Sequence, residues 1–321
     1  MPSATGLSEE FRAGSIRALS RAITIAENSP EDAAELISQL SSRGQQKQAH
    51  IIGVSGAPGI GKSTLIEKMA ADYSSKGLRV GVLAIDPTSP YTEGAVLGDR
   101  SRMSSLTLNS NVYIRSMGTR GHLGGLSRAA WDAMRILRAF GEDVIIVETT
   151  GTGQNEVEVA GAVHTNVVVM MPGLGDGVQL IESGGPEIGD IFVLNKADSP
   201  GADAAVAEIR AMVQLRYGGS RWAPPVVTTV ATTGLGVGEL VRYCQLHLEY
   251  LGSTGELPKK EETIYRNEVV SLVQEKLSEI AKQIVKQDSR AAKLLDDGSQ
   301  SRSNPHVVAE RIVELILKSG F

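Results

Sequence analysis

The residues best suited to chemistry come in short runs, and the first of them is Gly56-Ala57-Pro58-Gly59-Ile60-Gly61-Lys62-Ser63, followed by Thr64. It matches G-x-x-x-x-G-K-[ST] at every fixed position. Glycines at this spacing let the backbone curl around an anion and aim successive N–H groups at it. A helix starting at the end of the run adds its partial positive charge. Lys62 is expected to reach the β- and γ-phosphates of a nucleotide, and the Ser63 hydroxyl to ligate Mg²⁺.

Magnesium takes oxygen ligands in near-octahedral array, usually one or two carboxylates with phosphates and waters. Asp86 and Glu148 each close a run of apolar residues that reads as a strand, the position where open parallel sheets bind ligands. Asp99 lies in a glycine-containing loop able to close over a nucleotide. These three acids, with Ser63, are the candidate metal shell.

A further run, Asn195-Lys196-Ala197-Asp198, follows the apolar stretch Ile191–Leu194. Its pattern N-K-x-D selects guanine. The aspartate accepts from the ring N–H and the exocyclic amine, a donor pair that adenine lacks, so adenine would leave a carboxylate unpaired. Ala231 and Thr232 follow the last apolar run, where a backbone N–H can meet the guanine carbonyl. Together these runs imply a guanine nucleotide, GTP or GDP, held with Mg²⁺. Hydrolysis then needs charge neutralisation and a positioned water. Lys62, with Glu148 and Asp99 through the metal, supplies the first. Gln154 and Arg102 are candidates for completing the catalytic set.

The elements that must position these residues follow from hydrophobic periodicity. Apolar runs rich in Val and Ile at 51–54, 80–85, 112–114, 144–147, 167–171, 191–194 and 226–230 alternate with helix-length amphipathic stretches. Continuous apolar runs mark strands buried on both faces, and the alternation marks parallel pairing. The expectation is an α/β fold: a doubly wound, mostly parallel sheet of about seven strands, with helical extensions at both ends. In the first segment, Phe11, Ile16, Leu19, Ile23 and Ile25 approximate one helical face, and Ser29-Pro30-Glu31 reads as a helix restart. Gly252-Ser253-Thr254-Gly255 with Pro258 reads as a linker, and a helix is expected from Asn304-Pro305. Three regions result: an N-terminal helical extension at 1–47, a nucleotide-binding core at 48–252 and a C-terminal helical arm at 253–321, suited to dimerisation.

Composition narrows the partners. Among 321 residues the formal net charge is −5, which argues against nucleic-acid binding. One cysteine, Cys244, permits no internal disulfide. No apolar run reaches transmembrane length, so no membrane partner is expected. Glu9 and Glu10 interrupt the N-terminal arginines, so a cytoplasmic protein is expected rather than one carrying a transit peptide.

In order and spacing these pieces resemble the methylmalonyl-CoA mutase-associated GTPases, the ArgK-like P-loop G proteins. The resemblance rests on residues 53–64, Ala84-Ile85-Asp86-Pro87, Leu97-Gly98-Asp99-Arg100, 121–126, 147–156, Gly175-Asp176 and 195–198. It implies a homodimeric GTPase chaperone that gates cofactor loading and protection of an adenosylcobalamin-dependent acyl-CoA mutase. It also implies a further switch at about residues 171–182, where this chain departs from the family pattern at Met171-Pro172, Gly177 and Glu182-Ser183. Two alternatives follow from the nucleotide motifs. A nickel-delivery GTPase would call for Cys or His clusters, against one Cys and five scattered His. An ATP-dependent kinase sits badly with N-K-x-D.

Overall fold

The computed structural model describes residues 4–41, 48–86, 106, 109–118, 126–149, 154–173 and 189–318. All seven expected strands form: β1 (His50–Ser55), β2 (Val80–Asp86), β3 (Val112–Gly118), β4 (Val144–Glu148), β5 (Thr165–Met170), β6 (Ile191–Leu194) and β7 (Val226–Thr228). They make one sheet in the order β3-β2-β4-β1-β5-β6-β7, and every neighbouring pair is parallel. Successive strand residues point to opposite faces, so each apolar run feeds two cores. In β4, Ile145 and Val147 join one cluster while Val144 and Ile146 join the other.

One face is covered by α1 (Ala4–Arg12), α2 (Ile16–Asn28), α3 (Pro30–Ser41) and α5 (Arg128–Phe140). The other is covered by α4 (Lys62–Ser75) and α8 (Val237–Ser253). α6 (Gln154–Ala160) lies between β4 and β5, and α7 (Ala202–Tyr217) packs Ile209 and Val213 beside Phe192 and Leu194. The boundaries have local causes. The Ser127 hydroxyl accepts from the Ala130 N–H at the start of α5, and Gly141 ends that helix at φ +92°.

The N-terminal helices differ from the expected single face. Gly14 at φ +81° breaks the chain between α1 and α2, so Ile16 opens a new helix and is 45% exposed. The buried stripe of α2 is Ala18, Leu19, Ala22, Ile23 and Ala26, at helical spacing. Phe11 instead meets Phe140 edge-on, with ring centroids 4.9 Å apart.

The expected linker is also different. Gly252 and Ser253 lie inside α8, and Pro258 falls in the first turn of α9 (Leu257–Gln287), where its missing N–H costs nothing. α10 (Ser289–Gln300) and α11 (Pro305–Lys318) follow. The chain divides into two compact units, Met1–Asn267 and Glu268–Phe321. In the second unit Gly298 makes room for Val308, whose Cγ2 would lie 2.8 Å from an added Cβ. Among the described residues no helix is long and apolar enough to cross a membrane.

Candidate nucleotide site

The candidate phosphate-binding run occupies the turn between β1 and α4, at the carboxyl edge of the sheet. Two of its glycines are sterically required. Gly56 sits at φ +136°, and a Cβ there would come within 2.3 Å of the Val169 carbonyl oxygen. Gly61 sits at φ +97°, and a Cβ there would meet Asn195 Nδ2 at 2.5 Å. The sequence motif therefore records close backbone approach as well as affinity for an anion.

Lys62 is buried, and its Nζ donates to the carbonyls of Gly56 at 2.7 Å and Ala57 at 3.0 Å. Ser63, in the first turn of α4, donates its hydroxyl to Glu148 Oε1 at 2.7 Å. Glu148 is the last residue of β4, the strand paired with the central strand β1, which explains how residues so distant in sequence meet. Two members of the candidate metal shell thus form an adjacent pair of oxygens, the donor type that Mg²⁺ takes.

The candidate base-selection residues stand next to this loop. Asn195 is buried and holds three segments together. Its Nδ2 donates to the Ile60 carbonyl at 2.8 Å, while Oδ1 accepts from Thr229 Oγ1 and the Ala231 N–H, both at 3.1 Å. Lys196, at φ +56°, donates its Nζ to the Gly59 carbonyl at 3.0 Å. Asp198 is exposed and open to a ligand, as is Thr232. The Ala231 amide is already committed to Asn195.

Sequence reasoning left Glu156 without a role. This residue of α6 is buried, and its Oε1 accepts from the Gly56 N–H at 3.2 Å. Burial raises its pKa, against the pull of the Gly56 hydrogen bond and the Lys62 charge. The helix that follows Glu148 is thereby tied directly to the phosphate loop. The spacing between Glu148 and Glu156 carried no signal for that contact, because it depends on how α6 returns toward β1.

Other predicted residues are placed only in part. Asp86 ends β2 and Gln154 opens α6, but neither side chain is among those described. Asp99 and Arg102 lie outside the described residues, as does most of the expected switch at 171–182. The remaining site residues meet at one edge of the sheet, with Ala57, Pro58, Gly59 and Thr64 in or beside the same turn.

Comparison with known proteins then decides the family. The family model described as "Methylmalonyl Co-A mutase-associated GTPase MeaB" matches residues 19–286. The chain belongs to this family. It is accordingly a P-loop GTPase that binds GTP and GDP. A relative from Pyrococcus abyssi (strain GE5 / Orsay) is 42% identical over 317 residues, covering 98% of this chain and 97% of its own. The GTPase ArgK of Escherichia coli K12 is 40% identical over 194 residues, or 59% of this chain and 58% of its own. A crystal structure titled as a LAO/AO transport system kinase shares the fold at a TM-score of 0.69, with 22% identity and coverage of 98% of this chain and 97% of that one. The expected α/β architecture and the family resemblance both hold.

Proposed function

We propose that this GTPase is a nucleotide-controlled chaperone of an adenosylcobalamin-dependent acyl-CoA mutase, and that it works as a homodimer. The observation that carries the reading is the family match. The matching model is named for association with methylmalonyl-CoA mutase, and it spans the candidate nucleotide site together with most of α2, all of α3 and nearly all of α9.

The geometry supports a switch. Glu156 joins α6 to the phosphate loop, so a change in that loop is felt by the helix following Glu148. In this reading the phosphate-loop amides and Lys62 hold the triphosphate. Ser63 and Glu148, with Asp86 and Asp99, hold Mg²⁺, which neutralises phosphate charge when bound. Asp198 reads the guanine edge, and the Thr232 N–H faces its carbonyl, because the Ala231 N–H is engaged by Asn195. Gln154 and Arg102 complete the hydrolytic machinery.

Dimerisation is supported by the apolar surface of the second unit. Val270 is 49% exposed, Val273 51%, Leu277 57% and Leu317 76%. Exposed apolar side chains recurring along these helices support a contact face. Light scattering is expected to give a dimer mass, and Leu277→Glu to give a monomer.

Functional coupling is tested by GTP turnover of the chain alone and mixed with purified methylmalonyl-CoA mutase. Slow turnover alone and faster turnover on mixing are expected. Fast turnover alone, unchanged by the mutase, sinks the chaperone reading while leaving the GTPase intact.

A further inference from the structure

At the opposite edge of the sheet from the nucleotide site lies a cavity of about 690 Å³. Its walls come from residues just before strands begin: Gly161 and His164 ahead of β5, Gly189 and Asp190 ahead of β6, and Pro224 ahead of β7. The four residues of β6 separate Asp190 in this cavity from Asn195 in the nucleotide site. The cavity lies wholly within the first compact unit, and its volume is in the range of small-molecule sites, roughly 300–1,000 Å³.

Its chemistry is specific. Trp222, His247 and Tyr250 form an aromatic wall. The Trp222 ring centroid lies 4.8 Å from that of His247 and 5.2 Å from that of Tyr250, and the latter two rings are stacked at 16°. Their polar atoms are occupied within the protein. Trp222 Nε1 donates to the Asp190 carbonyl at 2.9 Å, His247 Nδ1 pairs with Thr165 Oγ1 at 2.9 Å, and the Tyr250 hydroxyl donates to Glu256 at 3.4 Å. The rings therefore offer faces and edges rather than donors.

The charged groups are unequally satisfied. Asp190 Oδ2 accepts the Asn166 N–H at 2.8 Å, and its Oδ1 lies 3.5 Å from His247 Nε2. Glu256 accepts from Tyr250. Two cations, Arg221 and Lys260, also line the cavity, and among the described residues neither is paired with a carboxylate. Burial lowers the pKa of His247, so its ring adds no charge near neutral pH. The carboxylates already have donors, whereas the cations lack an anion. Among the described residues no group of three or more His, Cys, Asp or Glu side chains is arranged to hold a metal ion.

We propose that this cavity is a second ligand site, for a planar aromatic anion whose ring lies on the half-buried Trp222 and Tyr250 rings, backed by the buried His247, and whose carboxylate or phosphate is held by Arg221 and Lys260. A flat ring gains stacking on such a wall, and charge-assisted hydrogen bonds to the two cations fix its orientation. The assignment does not depend on the nucleotide or on the mutase.

Isothermal titration of the full chain with naphthoate tests it, with saturating GDP present so that the nucleotide site is filled. Saturable binding is expected. Arg221→Ala combined with Lys260→Ala should weaken it by about tenfold or more, as the loss of charge-assisted contacts implies. Arg221 is exposed and Lys260 half-exposed, so the double variant keeps the fold, which its thermal melt verifies. Naphthamide, with the same ring and no charge, and cyclohexanecarboxylate, with the charge and no π face, should each bind more weakly by a comparable factor. The assignment is overturned if naphthoate gives no saturable heat, or if the double variant, the amide or cyclohexanecarboxylate binds equally well.

Discussion

The two edges of the sheet are built on different plans. At the carboxyl edge, function is carried largely by main chain. The phosphate loop turns at Gly56 and Gly61, where no other side chain fits, and Lys62, Lys196 and Asn195 all donate to loop carbonyls. At the amino edge, side chains do the work. His50 Nε2, Thr165 Oγ1 and His247 Nδ1 form a buried chain with contacts of 2.8 and 2.9 Å. His164 Nδ1 accepts the Ile51 N–H at 3.0 Å, so its Nε2 carries the proton and donates to Glu261 at 3.0 Å. A main-chain site must be continuous in sequence, because neighbouring amides have to converge on one ligand. A side-chain site can be gathered from anywhere that strands and helices end. This is why one edge reads as a motif and the other does not.

Perturbing each edge separately sharpens the contrast. The largest effect is expected from Lys62→Ala, which removes the cation proposed to stabilise transferring phosphoryl charge. GTP turnover should fall by about a hundredfold or more in the fully folded variant. Steady-state phosphate release measures the first, and urea unfolding measures the separate cost of leaving the Gly56 and Ala57 carbonyls without the lysine, about 1–3 kcal/mol and too small to account for the turnover loss. If both edges were merely structural, turnover would track stability.

Asn195→Ala should act on stability and nucleotide together. It leaves the Ile60 carbonyl, the Thr229 hydroxyl and the Ala231 N–H without their partner. A loss of about 2–4 kcal/mol is expected from unsatisfied buried groups, and GDP affinity should drop with it. Chemical denaturation with and without GDP measures the two.

Glu261→Gln addresses the opposite edge. The His164 hydrogen bond first, and then Arg138, hold the Glu261 pKa down at about 2, against an ordinary value of 4.5. A depressed carboxylate stabilises the fold above its unfolded pKa, and that contribution is lost as pH falls from about 4.5 to about 2. The variant should therefore lose roughly 1–3 kcal/mol at neutral pH and show a flatter acid-denaturation profile. Its GTP turnover at neutral pH should match that of the parent. Equal acid profiles for the two would remove Glu261 as a pH-linked anchor.

The smallest effect is expected from Thr165→Val, a near-isosteric change that cuts the His50–Thr165–His247 chain. It should cost about 1–2 kcal/mol, leaving turnover untouched. A large fall in turnover would show that the two edges are energetically coupled, contrary to the separation drawn above.

Hydrophobic pattern and local chemistry alone made the seven strands, their parallel pairing and the nucleotide-contacting runs legible. Strand signals are short and apolar, and the phosphate loop must be contiguous, so both survive in one dimension. The sequence also marked Ser63, Glu148 and Asn195 as candidates for a nucleotide site, because each lies at the end of a strand, just after one, or just after a glycine turn. Only the tertiary structure decided that Glu156 grips Gly56, that Asn195 rather than a ligand takes the Ala231 amide, and that three histidines meet beneath the sheet. Those contacts join residues 36 to 115 positions apart, and no local periodicity encodes them. They arise from strand order, which places β1 between β4 and β5. The physical reason is that backbone geometry is written locally, whereas the meeting of distant side chains depends on how the whole sheet is wound.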